Sequence, residues 1–190
     1  TAEFAINVYD VTLSAENGTV TGAGSYNHGT EVTLTATPNE GYHFVNWSDG
    51  HVDATRSITV TADVTLTAEF AINVYDVTLS AENGIVTGAG SYNHGTEVTL
   101  TATPNEGYHF VKWSDGETNA TRTITMTADV TLTAEFAINV YTIAVSAENG
   151  TITGAGEYAH GTEVTLNATP NAGYHFVKWS DGETNATRTI

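Results

Sequence analysis

Ser48, His43 and Asp49 lie within ten residues, in the stretch "GYHFVNWSDG" (41–50). A hydroxyl, an imidazole and a carboxylate are the parts of a nucleophile–base–acid set. Such a set attacks an acyl carbon only where the base reaches the nucleophile within hydrogen-bond distance. Side chains alternate between faces along an extended chain. His43 and Ser48 are therefore of opposite parity, and Asp49 belongs to the turn "SDG". This spacing argues against catalysis, and the chain is not expected to be an enzyme. By the same parity Tyr42 and Phe44 share one face, while His43, Val45 and Trp47 share the other. The expected use of the large aromatics is structural. Trp47, Trp113 and Trp179, with Phe44, Phe110 and Phe176, are the candidate core.

Metal chemistry has two sets of candidates. His28 and His43 recur as His94 with His109 and as His160 with His175. Two imidazoles per module would suit Zn²⁺ or Cu²⁺ if the fold joined them, but no local ligand spacing points that way. The loop "SDGETN" (114–119) sets Asp115, Glu117 and Asn119 at alternate positions, as the oxygen ligands of Ca²⁺ often stand. A later copy offers Asp181, Glu183 and Asn185, whereas "SDGHVD" keeps only Asp49 and Asp53. An Asp-Gly turn explains the same residues without a cation. Ca²⁺ is thus the one cofactor candidate, and no other cofactor is expected. "GAGSYNHG" (22–29) is Gly-rich, but no helix follows it to cradle a phosphate.

These residues come in threes because the chain is repetitive. "TAEFAINVY" occurs at Thr1, Thr67 and Thr133, a period of 66, and residues 5–70 differ from 71–136 at only seven positions. The organisation reads as a tail of a preceding repeat at 1–4, repeat one at 5–70, repeat two at 71–136, and repeat three at 137–190 without its last strand. Three near-identical catalytic centres in modules this small would be unusual. Tandem copies instead give length or avidity.

Within a repeat, apolar residues recur with period two. "TEVTLTAT" alternates Val32, Leu34 and Ala36 with Thr33, Thr35 and Thr37, and "DVTLTAEF" alternates Val64, Leu66, Ala68 and Phe70 with Thr65, Thr67 and Glu69. This is the pattern of a half-buried antiparallel strand. Turn signals at "ENG", "PNEG" and "SDG" separate six expected strands, at 8–15, 19–22, 30–37, 42–48, 55–60 and 64–71. The segment 22–29 is expected to be a loop. The fold class is all-β: tandem small antiparallel modules of about six strands, β-grasp-like or sandwich-like. "AINV" between repeats holds no Gly, Pro or Ser, so no flexible linker is expected and the modules should form an elongated rod.

Composition removes several functions. The chain has no Cys and no Gln, which excludes disulfides, thiolate metal sites and thioester or Thr–Gln ester cross-links. Its net charge of −17 repels phosphate backbones and anionic bilayers, so nucleic acid is not an expected partner. No run of 18 apolar residues exists, and no membrane insertion is expected. The chain opens in mid-pattern, as an excised piece would.

Three motifs occur in order in the first two repeats: "GTVTGAGSY" (18–26), "VTLTATPNEGYHFVNW" (32–47) and "ADVTLTAEF" (62–70). They are the pattern of a known family, and the chain resembles the divergent branch of the internalin-type B-repeats over essentially its whole length. The resemblance implies an extracellular bacterial protein, cell-surface or secreted, in which such modules form stalks, and it brings no catalytic residues. Two functional readings follow. One is a spacer that projects another domain, with neighbouring repeats of the same chain as partners. The other is an adhesive module binding host glycan or protein through an exposed aromatic patch repeated every 66 residues.

Self-repulsion at −17 should make stability rise with ionic strength. A specific Ca²⁺ loop would raise the melting temperature further in millimolar Ca²⁺ than in Na⁺ of matched ionic strength. Equal shifts in the two salts, followed by calorimetry, would leave screening alone.

Overall fold

The structure, a computed structural model, describes all residues from Thr1 to Ile190 and contains strands and turns but no helix. The chain divides into two compact units. One is Thr1–Thr78 with Ala89–Thr99 and Thr123–Thr131, and the other is Leu79–Gly88 with Leu100–Arg122 and Leu132–Ile190.

The first unit contains repeat one entire. Its strands are β1 Val8–Ala15, β2 Gly18–Thr21, β3 Gly24–Asn27, β4 Glu31–Pro38, β5 Tyr42–Trp47, β6 Thr55–Thr59 and β7 Val64–Ile72. They form two sheets, ordered β3-β1-β7-β5 and β2-β4-β6. In β4 the aliphatic residues Val32, Leu34 and Ala36 are buried and Thr33 and Thr37 face solvent, as the alternation requires. The core joins them to Val11, Trp47, Leu66 and Ala68 of the first sheet and to Val60, which follows β6. Two sheets around one core, without a helix, is the sandwich-like alternative.

Three features depart from the sequence reading. β3 forms inside the Gly-rich segment expected to be a loop, pairing antiparallel with β1 from Val8↔Asn27 to Val11↔Gly24. Gly22, at φ 106°, turns the chain so that this pairing is possible. Second, β1 and β7 run parallel, from Val11↔Val64 to Ala15↔Ala68, where antiparallel pairing was expected. Third, β5 carries a bulge. Phe44 pairs with Phe70 and Asn46 with Glu69, which leaves Val45 as the extra residue. An extra residue reverses parity beyond it. Trp47 therefore sits on the core side with Phe44, their ring centroids 5.9 Å apart, and the expected opposition of Phe44 and Trp47 does not hold.

Repeat two has strands β8 Val74–Ala81, β9 Gly84–Thr87, β10 Gly90–Asn93, β11 Glu97–Pro104, β12 Tyr108–Trp113, β13 Thr121–Thr125 and β14 Val130–Ile138. In the first unit β8 pairs with β10. In the second β9 pairs with β11, and β12 with β14 through the same bulge, here at Val111. The second unit also holds repeat three, with β15 Val140–Ile143, β16 Gly150–Thr153, β17 Gly156–Ala159, β18 Thr165–Pro170 and β19 Thr187–Thr189. β15 pairs only with β17, while β16, β18 and β19 form a second small sheet. Residues 174–178, the counterparts of most of β5, are not strand. The 190 residues hold no counterpart of β7 for this repeat to pair with.

Trp47 and Trp113 have no exposed surface. Trp179 is only half-buried, which corrects the expectation for that residue: the strand that covers the other two has no equivalent beside it. Phe44, Phe110 and Phe176 are half-buried, each with its ring against the Trp three residues on.

Truncating a fully buried Trp removes a large part of a thin core. Trp113→Ala should cost about 3–5 kcal/mol, and Trp179→Ala clearly less. Calorimetry of the two variants distinguishes this order from equal losses, which would contradict the burial difference.

Candidate functional site

The "SDG" turn after β5 is built around an indole. In repeat one Trp47 Nε1 donates to the Asp53 carbonyl at 3.1 Å; in the second unit Trp113 Nε1 donates to Asn119 O at 3.0 Å and Trp179 Nε1 to Asn185 O at 2.8 Å. The backbone closes the same loop, Trp47 N donating to His51 O at 2.8 Å and Gly50 N to Trp47 O at 2.7 Å. Every acceptor is a main-chain carbonyl. The loop can therefore read "SDGHVD" in one repeat and "SDGETN" in the next without changing shape.

The candidate Ca²⁺ ligands are engaged with the protein itself. Arg56 Nη1 lies 2.6 Å from Asp49 Oδ2, Arg122 Nη1 2.5 Å from Asp115 Oδ2, and Arg188 Nη1 2.5 Å from Asp181 Oδ2. The guanidinium beside each Asp holds its carboxyl below the usual carboxylate range. Glu117 Oε1 accepts from the backbone N and Nδ2 of Asn119 at 2.9 and 2.7 Å, and Glu183 Oε1 likewise from Asn185, both at 2.8 Å. The backbone donor of Asn119 lowers Glu117, and that of Asn185 lowers Glu183. Asp53 stands 3.3 Å from His51 Nε2. No three His, Cys, Asp or Glu side chains converge tightly enough to hold a metal ion. The Arg partners escaped the sequence reading, although an Arg follows the turn Asp by seven residues in all three repeats.

The hydroxyl, imidazole and carboxylate of the opening stretch also go separate ways. Ser48 Oγ accepts from Thr67 N at 3.1 Å, His43 donates from Nδ1 to Asn73 Oδ1 at 2.8 Å, and Asp49 holds Arg56. His28 lies against Tyr9, centroids 6.0 Å apart, so the two imidazoles of repeat one serve different places.

The densest polar cluster missed by the sequence reading is the joint between repeats. β7 ends at Ile72 and β8 begins at Val74, so in the first unit the connection is Asn73 alone. Asn73 N donates to Gly41 O at 2.8 Å, and His94 N donates to Asn73 O at 2.8 Å. Asn73 Oδ1 accepts a hydrogen bond from His43 Nδ1, and Tyr75 packs against the His94 ring at 6.1 Å. Gly41 has φ 80°, and a Cβ there would stand 2.2 Å from the His94 ring, so only Gly fits. The second unit repeats the set. Asn139 N donates to Gly107 O at 2.7 Å, His160 N to Asn139 O at 2.8 Å, and His109 Nδ1 to Asn139 Oδ1 at 2.8 Å. The one polar residue in "AINV" was the available signal.

The Asp–Arg pairs set a pH dependence. A carboxyl whose pKa is depressed on folding stabilises the folded state above its unfolded value, about 4, and loses that contribution as pH falls toward its folded value. The pair Asp115–Arg122 is partly exposed, so its contribution is at most about 1 kcal/mol. Stability measured by denaturant titration should therefore fall below pH about 4, and less so in Asp115→Asn. An Asp115→Asn variant with an unchanged acid profile would contradict this role.

Comparison with known proteins supplies the family. The family model for the divergent InlB B-repeat domain matches residues 9–74, 75–140 and 141–190. The chain is 27% identical over 193 residues to a protein of Evansella cellulosilytica provisionally named a membrane protein, covering 96% of the chain and 29% of that relative. It is 33% identical over 115 residues to Internalin H of Listeria monocytogenes, covering 55% of the chain and 21% of that relative. The chain thus spans less than a third of the length of either relative. With matches to three successive segments from residue 9 to residue 190, the chain belongs to the divergent InlB B-repeat family.

Proposed function

We propose that the chain is a spacer: stalk repeats of a bacterial cell-surface or secreted protein that hold another domain away from the surface. The observation that carries this reading is the joint. A connection of one residue, with its N–H and C=O both hydrogen-bonded and its side chain held by His43, allows little bending where a string of modules would otherwise flex. The acidic, Thr-rich exterior suits an extracellular surface that stays soluble and avoids anionic partners. The names of the relatives, a membrane protein and an internalin, agree with attachment at the cell surface.

The adhesive reading needs an aromatic patch exposed once per repeat. Every Tyr, Phe and Trp from Tyr9 to Phe136 is buried or half-buried. Val8, Val74 and Val140 are exposed once per repeat, and so are Val45, Val111 and Val177, but these are aliphatic residues, and scattered apolar residues are ordinary on a surface.

Small-angle scattering tests the proposal. A compact globule of this length has a radius of gyration of about 16 Å. The spacer should exceed that clearly, with a maximum dimension to match. Gly41→Ala with Gly107→Ala, which crowds both joints, should broaden the distance distribution. A near-spherical profile for the unmodified chain would overturn the proposal.

A further inference from the structure

We propose that repeat one bears tension along the chain, and that the β1–β7 pair is the clamp that resists it. The role rests on the spacer reading, since a stalk carries whatever pull acts on the domain it holds. β1 begins repeat one and β7 ends it, and the two lie side by side and parallel, from Val11↔Val64 to Ala15↔Ala68. Tension along the chain enters at Val8 and leaves at Ile72 into Asn73. In a parallel pair the start of one strand and the end of the other stand at opposite ends. The pull therefore runs along the two strands in opposite senses, and the ladder is loaded in shear. Its bonds run across the strands, so they bear the load together. Antiparallel strands would bring entry and exit to one end, where the bonds open one at a time.

Three features add to the resistance. β1 and β7 are the two inner strands of the sheet β3-β1-β7-β5, so neither slides without also shearing its outer neighbour. Side chains tie the pair at both ends of its ladder. Asp10 N donates to Asp63 Oδ1 at 2.9 Å just ahead of the first paired residues, and Ser14 Oγ lies 2.7 Å from Thr67 Oγ1 near the last. The same ties recur at Asp76 with Asp129 in the first unit and at Ser80 with Thr133 in the second. Finally, Val11, Leu66 and Ala68 are buried. A slip of one residue turns a strand's side chains to the other face of the sheet, so β1 and β7 cannot creep past each other in small steps. The joint hands the load on without slack, because Asn73 alone separates β7 from β8.

Single-molecule pulling on the 190-residue chain in two directions is the test. The chain has no Cys, so handles attach only at introduced thiols. Ile6→Cys with Val74→Cys loads the β1–β7 pair in shear. Ile6→Cys with Ala62→Cys puts both handles at one end of that pair and peels it. All three sites are exposed, so both forms keep the fold. Unfolding of repeat one is recognised by the chain released between the handles, about 3.4 Å per residue. Forced unfolding is governed by the unfolding barrier, here the barrier along the direction of pull. At equal loading rate the shear arrangement should therefore need a severalfold higher force. Ser14→Ala with Asp63→Ala removes both ties at exposed positions and should lower the shear force. Equal forces in the two directions, or a shear force unchanged by loss of the ties, overturn the proposal. Neither result bears on the scattering profile, so the clamp and the spacer reading fail separately.

Discussion

Asn73 is the whole connection between two modules, and each of its polar groups is used. Its N–H donates to Gly41 O, its carbonyl accepts from the His94 N–H of the following repeat, its side-chain oxygen accepts from His43 Nδ1, and its Nδ2 donates to the Tyr75 hydroxyl. A linker residue that donates to one module and accepts from the next is part of both. The rest of the joint follows. The turn before β5 must present a carbonyl at Gly41, and no Cβ can stand there because the His94 ring occupies that space. The same constraint recurs at Asn139 with Gly107 and His160, inside the second unit.

The modules that this joint connects are small, and one aromatic does much of their core work. Trp47 brings a large apolar ring between two sheets otherwise filled by Val, Leu and Ala. Its one polar atom finds a carbonyl within six residues, so the ring is buried without an unsatisfied donor. The turn that supplies the carbonyl is pinned by Asp49 and Arg56. Repeats one and two have one Arg each, and each is committed to its own turn. The surplus of acid on the exterior is left without local neutralisation, as suits a surface that repels its like.

Much of this was legible in the sequence. The 66-residue period, the alternating strands and the absence of helix all follow from the positions of Val, Leu, Thr and Gly, and so does the directness of the link between repeats. What failed to show was whatever depends on a partner distant in sequence. The bulge at Val45 has no glycine to announce it and exists because β7 offers one residue, Glu69, where β5 has two. That single slip moved Trp47 to the side of Phe44. β3 is strand because β1 lies beside it, although its own residues read as a loop. The guanidinium that pairs with each turn Asp was not read from the sequence because it comes from the next strand. Asn73 looked like any strand-end polar residue, since its acceptor and donor lie 32 and 21 residues away.

A stalk of such repeats needs the joint to be a fixed structure. Amide hydrogen exchange at Asn73, His94, Asn139 and His160 reports on it directly, because those four N–H groups make its main-chain bonds. If the joints are fixed, these amides exchange as slowly as those of the flanking strands β7 and β14. Exchange at the rate of an unstructured peptide, with the flanking strands still protected, would show modules hinged at these residues and would contradict the account.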